Sequence, residues 1–379
     1  MRNKSLFFAF LVSLASLFFA SCDGGKVRDI SFLTDSNIEI KVGDTYHLVV
    51  YVTPLDAEYE LQWNSSDISV ASVDDEGLVV GRGLGQCTVT VSAGDVSAQC
   101  TISVVSDGEH NPDDVNITGY GAVNSLFSVS PYDQVRFSRG NLQYQASTGT
   151  WRFAEYQYAS LGAENGSISQ DNAGWIDLFG WGTSGWSGGA VAFQPYATDT
   201  DDSHYTIAGS SNNGLNGGTA LADWGRYNAI SNGGNVSGQW RTLSDEEWAY
   251  LFDTLGARKD KWALATINNF YKGVVLLPDQ WVRPEGVSYS HGASLGYQTN
   301  QYTNQQWLLL QKSGAVFLPN AGIREGTNVS AVNYDGYYWA STPDGASAAH
   351  ALYIMGNTVS PKASRNRHYG LSVRLVWSY

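Results

Sequence analysis

The sequence predicts a multidomain chain: an all-β sandwich followed by a longer module of short strands and few helices. Three observations carry this reading. Between residues 27 and 105, apolar residues alternate in short runs broken by turn residues. Residues 106–116, "SDGEHNPDDVN", are polar, acidic and free of apolar period, and read as a linker. Beyond residue 117 the composition shifts, and twelve of the thirteen tryptophans fall after residue 150 among Gly-, Asn- and Ser-rich loops.

Ahead of the sandwich, residues 1–21 have a basic start (Arg2, Lys4), an apolar run from Leu6 to Ala20, and then small residues before Cys22. An apolar run of that length suits the core of a signal peptide better than a membrane span. The stretch resembles the lipobox of bacterial lipoproteins, although Phe19 stands where leucine is usual. That resemblance implies lipidation of Cys22, with residues 22–26 as a tether and the membrane as a partner through the lipid. An ordinary signal cleaved near Ala20 or Ser21 is the alternative. Either way the expected location is extracytoplasmic. The lipoprotein reading adds membrane anchoring, at the outer membrane or cell surface of a Gram-negative bacterium.

The chain has 22 basic and 36 acidic residues and a formal charge of −14. Cleavage before Cys22 removes Arg2 and Lys4, leaving 20 against 36 and a charge of −16. This sign repels phosphate backbones, and no basic cluster offsets it, so nucleic acid is not an expected partner.

Within 27–105, "IEIKVG", "YHLVVYVTP", "ELQWNSS", "VASVDDEGLVVG" and "QCTVTVSAGDVSAQCTISVV" read as sandwich strands. A two-residue turn at Ala93-Gly94 pairs Val91 with Val96, Val89 with Ala98 and Cys87 with Cys100, all on the core face. A disulfide between Cys87 and Cys100 is the favoured expectation, and two buried thiols are the alternative. "VGDTYHLVVYVTP", "WNSSDISVASVDDEGLVVGRGLG" and "CTVTV" resemble the bacterial Ig-like domain, group 2. That resemblance implies a spacer of the kind found in surface proteins.

In the second module, "QVRFSRGNLQYQ", "TWRFAE", "GVVLLP", "AVFLPN", "ALYIM" and "LSVRLVW" read as strands. "WRTLSDEEWAYLF" (240–252) sets three acids between two tryptophans, which raises the question of a catalytic carboxylate cluster. Ser244 and Glu247 have capping-box spacing. Trp248, Leu251, Phe252 and Leu255 form a helical stripe, and Gly256 stands ready as its stop. The acids therefore mark a helix start and not a reaction centre.

"WRTLSDEEW", "VVLLPDQW", "VFLPNAGIREG", "GYYWASTP" and "HYGLSVRLV" resemble the FISUMP family of surface domains, related to the C-type-lectin-like fold. The resemblance covers most of residues 135–379. It implies an α+β C-type-lectin-like domain over 117–379, closed by pairing of its ends and carrying long loops on one face. The fold class expected for the whole chain is thus an Ig-like sandwich plus this α+β domain.

Reactive motifs are few. The second module has no cysteine, and its histidines (204, 291, 350, 368) show no zinc spacing. "TDTDDS" around Asp199, Asp201 and Asp202 fails as an EF-hand, since His204 and Ser210 occupy the positions of the required Gly and Glu. No metal or cofactor is expected, and no enzyme activity. The candidate ligand residues are Trp181 and Trp186 in "GWGTSGWSGG" and Arg365, Asn366, Arg367 and His368 in "ASRNRHYG". In related lectin-like domains the segment before the final strand lies on the ligand face. The expected function is recognition of a glycan or protein at the cell surface. The alternatives are a structural surface component, or an enzyme or enzyme accessory whose site is assembled from distant loops.

Overall fold

The computed structural model describes residues 26–33, 36–41, 44–54, 57, 59–83, 85–105, 116–294 and 296–378. The expected leader, Cys22, most of the tether and nearly all of the linker lie outside the described residues. Among the described residues no helix is long and apolar enough to cross a membrane.

The first module is β-structure throughout. Asn37–Lys41 runs parallel to Val96–Val105, which pairs antiparallel with Gly85–Ala93, and that strand pairs with Gln62–Ser65. A second sheet joins Thr45–His47, Leu78–Gly81 and Ala71–Val73, and Asp29–Phe32 pairs with Val50–Thr53. Along Gly85–Ala93 the residues Cys87, Val89, Val91 and Ala93 point inward while Thr88, Thr90 and Ser92 are only partly buried, the alternation of a one-sided sheet. Cys87 and Val89 meet Ile38, Ile40, Leu48, Val79, Ile102 and Val104 in one cluster, and Val91 and Ala93 meet Ile30 and Val52 in a second.

The hairpin register corrects one expectation. Ala93 pairs with Val96, so the turn is Gly94-Asp95, with Gly94 at φ +60°, where a side chain would be strained. Every pair is displaced by two residues. Because the side-chain period is two, the inward face is preserved. The cysteines nevertheless lose direct opposition: Cys87 faces Ile102, and Cys100 faces Val89. They become diagonal neighbours, and both remain thiols. Burial pushes both thiols above their ordinary range.

The second module is also mostly β, arranged in several small sheets. Its largest has the order Gln301–Tyr302, Trp262–Ile267, Tyr271–Leu276, Val316–Pro319. A three-stranded antiparallel sheet follows from Asp335–Asp344, Ala348–Met355 and Thr358–Asn366. The two ends of the module meet where Gln134–Phe137 pairs with Val376–Ser378.

The expected final strand over 371–377 is regular only in Val376–Ser378. Upstream of it the backbone makes isolated bridges, Leu371 to Phe179 and Ser372 to Tyr338. Leu371, Val373 and Leu375 are fully buried, and so are Ser372 and Arg374 on the opposite side. The segment is enclosed on both faces.

The helix Asp245–Leu251 begins with the capping box Ser244–Glu247. Each acid is engaged. Glu247 receives two hydrogen bonds from Arg241 (2.6 and 2.8 Å), Asp245 accepts from the Thr342 hydroxyl (2.7 Å), and Glu246 pairs with Lys362. The helix stops earlier than the stripe implies, with Phe252 at its C-cap, and Leu255 lies out in solvent.

The two modules touch. The Tyr271 hydroxyl reaches the carbonyls of Ser69 and Arg82, and Arg82 donates to the Asn268 carbonyl (3.1 Å) with its guanidinium 4.8 Å from the centre of the Phe270 ring.

The hairpin register generates a direct test. Unfolding the protein without reductant and alkylating it should label both Cys87 and Cys100, whereas the folded protein should resist labelling at both. A disulfide-linked 87–100 peptide in a non-reducing digest would contradict the register described here.

Candidate functional site

The sequence candidates separate into an inner and an outer set. Trp181 is wholly buried, which corrects its expected place on a ligand face. Its indole N–H donates to the Ala340 carbonyl (2.9 Å), and the Arg367 guanidinium lies 4.6 Å from its ring centre. The surrounding glycines serve this packing: a Cβ on Gly180 would come within 2.5 Å of the Tyr205 ring. Trp186 is half-buried against the same core.

Arg367 is also an interior residue, which corrects a second expectation. It donates to the carbonyls of Ala348 (2.9 Å), Ser211 (2.5 Å) and Gly345 (3.1 Å), tying one hairpin turn to the loop at Ser211. His368 is buried too. Asp202 holds it twice, at the ring Nδ1 (2.7 Å) and through the backbone N–H (3.1 Å). Its other ring nitrogen lies 3.7 Å from Glu325 and has no hydrogen-bond partner.

Arg365 and Asn366 point the other way, into an open groove of about 440 Å³. One wall is the end of Thr358–Asn366, with Ser364, Arg365 and Asn366, continued by Tyr369. The other is the hairpin of Ile323–Glu325 and Asn328–Ser330, which contributes Ile323, Glu325, Asn328 and Ser330. Tyr337 forms the floor.

Local chemistry explains this division. Tyr337 and Tyr353 are cross-strand partners with rings stacked at 4.8 Å, and the Arg365 guanidinium lies 5.2 and 4.4 Å from their centres. Across the groove Arg324 turns inward and donates to Gly326 and Leu178 carbonyls, while its neighbours Ile323 and Glu325 face outward. A backbone bridge between Arg324 and Gly370 ties the two walls together behind the groove. The hairpin wall and Tyr337 escaped sequence reasoning, because their pairing with the 364–369 segment is set only by tertiary contacts.

Displaced carboxyls lie elsewhere. Burial pushes Asp177 up to about 6, against hydrogen bonds from Asn165 and the Leu161 N–H. Burial likewise raises Asp223 to about 6, against the N–H groups of Thr242 and Gly225. Both are closed off from solvent and serve as backbone ties. Asp279, in the "LPD" stretch, accepts from Ser128, Gln134 and the buried Arg258. A smaller cavity between the modules, about 190 Å³, is lined by Asp67 and Glu164 among others, and burial and then the Asp67 charge raise Glu164. Among the described residues no group of three or more His, Cys, Asp or Glu is placed to hold a metal ion.

Residues 30–104 match the model of the bacterial Ig-like domain (group 2), and the chain carries such a domain there. The chain is 34% identical over 107 residues to a 3-O-alpha-D-galactosyl-alpha-L-arabinofuranosidase of Bifidobacterium longum subsp. longum, covering 25% of this chain and 9% of that protein. Among solved structures, domains 4 and 5 of the S-layer protein SbsC align at 17% identity and TM-score 0.20, over 22% of this chain and 54% of that one. A bacterial Ig-like domain containing GH10 xylanase from termite gut aligns at 22% identity and TM-score 0.17, over 22% of each chain. The chain thus spans less than a tenth of the curated relative and about half or less of these structures.

The buried acids set a pH dependence. Their folded values exceed the ordinary one, so the folded state binds more protons between about pH 4 and 6 and loses stability as pH rises through that window, by about 3 kcal/mol for each acid. Urea unfolding should show higher stability at pH 5 than at pH 7.5. Asp177→Asn should remove its share of that difference even where it lowers absolute stability.

Proposed function

We propose that this protein is a non-catalytic recognition lipoprotein. Its Ig-like module is a spacer, and its second module is an α+β, C-type-lectin-like head that binds a ligand in the groove beside Arg365. The observation that carries this reading is the groove itself: concave, open and lined by hydroxyls, amides and one charge of each sign, on a frame of buried brackets. Rigid walls with exposed polar tips suit binding, because little ordering is left to be done when a ligand arrives.

The lectin-like reading draws on the ordered motifs from residue 240 onward and on the pairing of the module's two ends. Membrane attachment, with a location outside the cytoplasm at the outer membrane or surface of a Gram-negative cell, is proposed from the apolar leader and Cys22. A glycan ligand is favoured over a protein by the groove's polar lining. The likeness to an arabinofuranosidase over a quarter of the chain is consistent with a setting in which glycans matter.

Two experiments test this. Screening the full chain against glycan and surface-protein panels should give saturable binding that Asn328→Ala together with Asn366→Ala, both exposed on the groove walls, weakens while the melting temperature holds. Absence of any ligand would favour a structural surface role instead. Metabolic labelling with a fatty acid should tag the intact protein and fail for Cys22→Ser; equal labelling of both would exclude lipidation at that residue.

A further inference from the structure

We infer that the groove selects a saccharide bearing a single carboxylate, a uronic acid within an otherwise neutral glycan, and that Arg365 is the residue that reads it. This rests on the groove being the ligand site. Four arginines of the second module, Arg258, Arg324, Arg367 and Arg374, are buried and spent on carbonyls, amides or Asp279. Arg365 differs from them. It forms no ion pair among the described residues, and its hydrogen bond to the Ser364 carbonyl uses one nitrogen, Nη1 (2.7 Å). Its guanidinium lies over Tyr337 and Tyr353, which hold it at the groove wall, and no other hydrogen bond is seen from the remaining donors of its fork among the described residues. Such a fork matches a carboxylate in a bidentate arrangement.

The remaining walls narrow the class of ligand. Asn328, Ser330, Ser364 and Asn366 supply donors and acceptors suited to sugar hydroxyls, while an apolar pocket of the kind that seats a protein anchor residue is missing from this lining. Glu325 stands on the opposite wall, where its carboxylate suits sugar hydroxyls as an acceptor but repels a second anionic group. The chain's −14 charge acts in the same direction at longer range. One carboxylate seated at Arg365 is compatible with this field, whereas a polyanion is not.

The test uses the full chain and oligosaccharides containing one glucuronate or galacturonate, their carboxyl-reduced counterparts, a heavily sulfated oligosaccharide and an acidic peptide. The single uronate should bind about tenfold or more tighter than its reduced counterpart, as expected for a charge-assisted pair. The preference should vanish in Arg365→Gln and recover in part in Arg365→Lys. The comparison of native and reduced sugars on the unmodified protein decides the matter even if a variant misfolds. Equal affinity for both sugars overturns this inference and leaves the groove as a ligand site. Tighter binding of the sulfated sugar or the acidic peptide also overturns it. Binding of none of the probes, with no ligand found in the wider panels, overturns the reading of the groove as well.

Discussion

The second module depends on one stretch of backbone, residues 370–378, bonded in turn to six separate parts of the chain. Gly370 exchanges hydrogen bonds with Arg324, and Leu371 with Phe179. Ser372 serves Tyr337 and Trp339, the Val373 carbonyl takes the Leu142 N–H, the Leu375 carbonyl takes that of Ser138, and Val376 exchanges with Arg241. Only Tyr337 and Trp339 among these partners lie in a sheet of long strands, Asp335–Asp344 with Ala348–Met355 and Thr358–Asn366. An isolated pair of strands is marginal alone, and here a shared strap with both faces enclosed joins several small sheets into one unit.

Arg374 shows what enclosure demands. Its guanidinium is surrounded by Gln157 (2.9 Å), Asn141 (3.4 Å) and the Phe317 carbonyl (3.4 Å), and burial lowers it to about 9. A buried charge with only dipoles around it is costly, so the dipoles must be fixed in place. Gln157 meets this need by donating to the Ala315 carbonyl and accepting the Phe317 N–H as well. The arginine therefore orders a polar cage that joins the strap to Val316–Pro319.

What the sequence made legible follows from how locally each feature is determined. The alternating strands of the first module were readable because one face is wet. The helix at Asp245 was readable because its cap and stripe lie within a dozen residues. The cysteine pairing failed on a turn displaced by a single residue. In the second module, Trp181 and Trp186 look alike in sequence, and only distant partners at Ala340 and Arg367 make the first of them core. Arg365 and Arg367 differ in the same way. Nothing local says which will be bracketed by carbonyls, and the Asp202–His368 contact spans 166 positions. Reading "LSVRLVW" as a strand does not reveal the burial of Arg374, because a polar residue between apolar ones normally signals an outer face.

Along both walls of the groove, buried residues that hold the frame sit beside residues that line its surface: Arg324 between Ile323 and Glu325, and Arg367 and His368 between Asn366 and Tyr369. Inheritance can therefore act on the two sets separately. Changes at exposed lining positions such as Asn328 and Asn366 would alter the chemistry of the groove without disturbing how the protein folds, so related chains would carry different linings on the same skeleton.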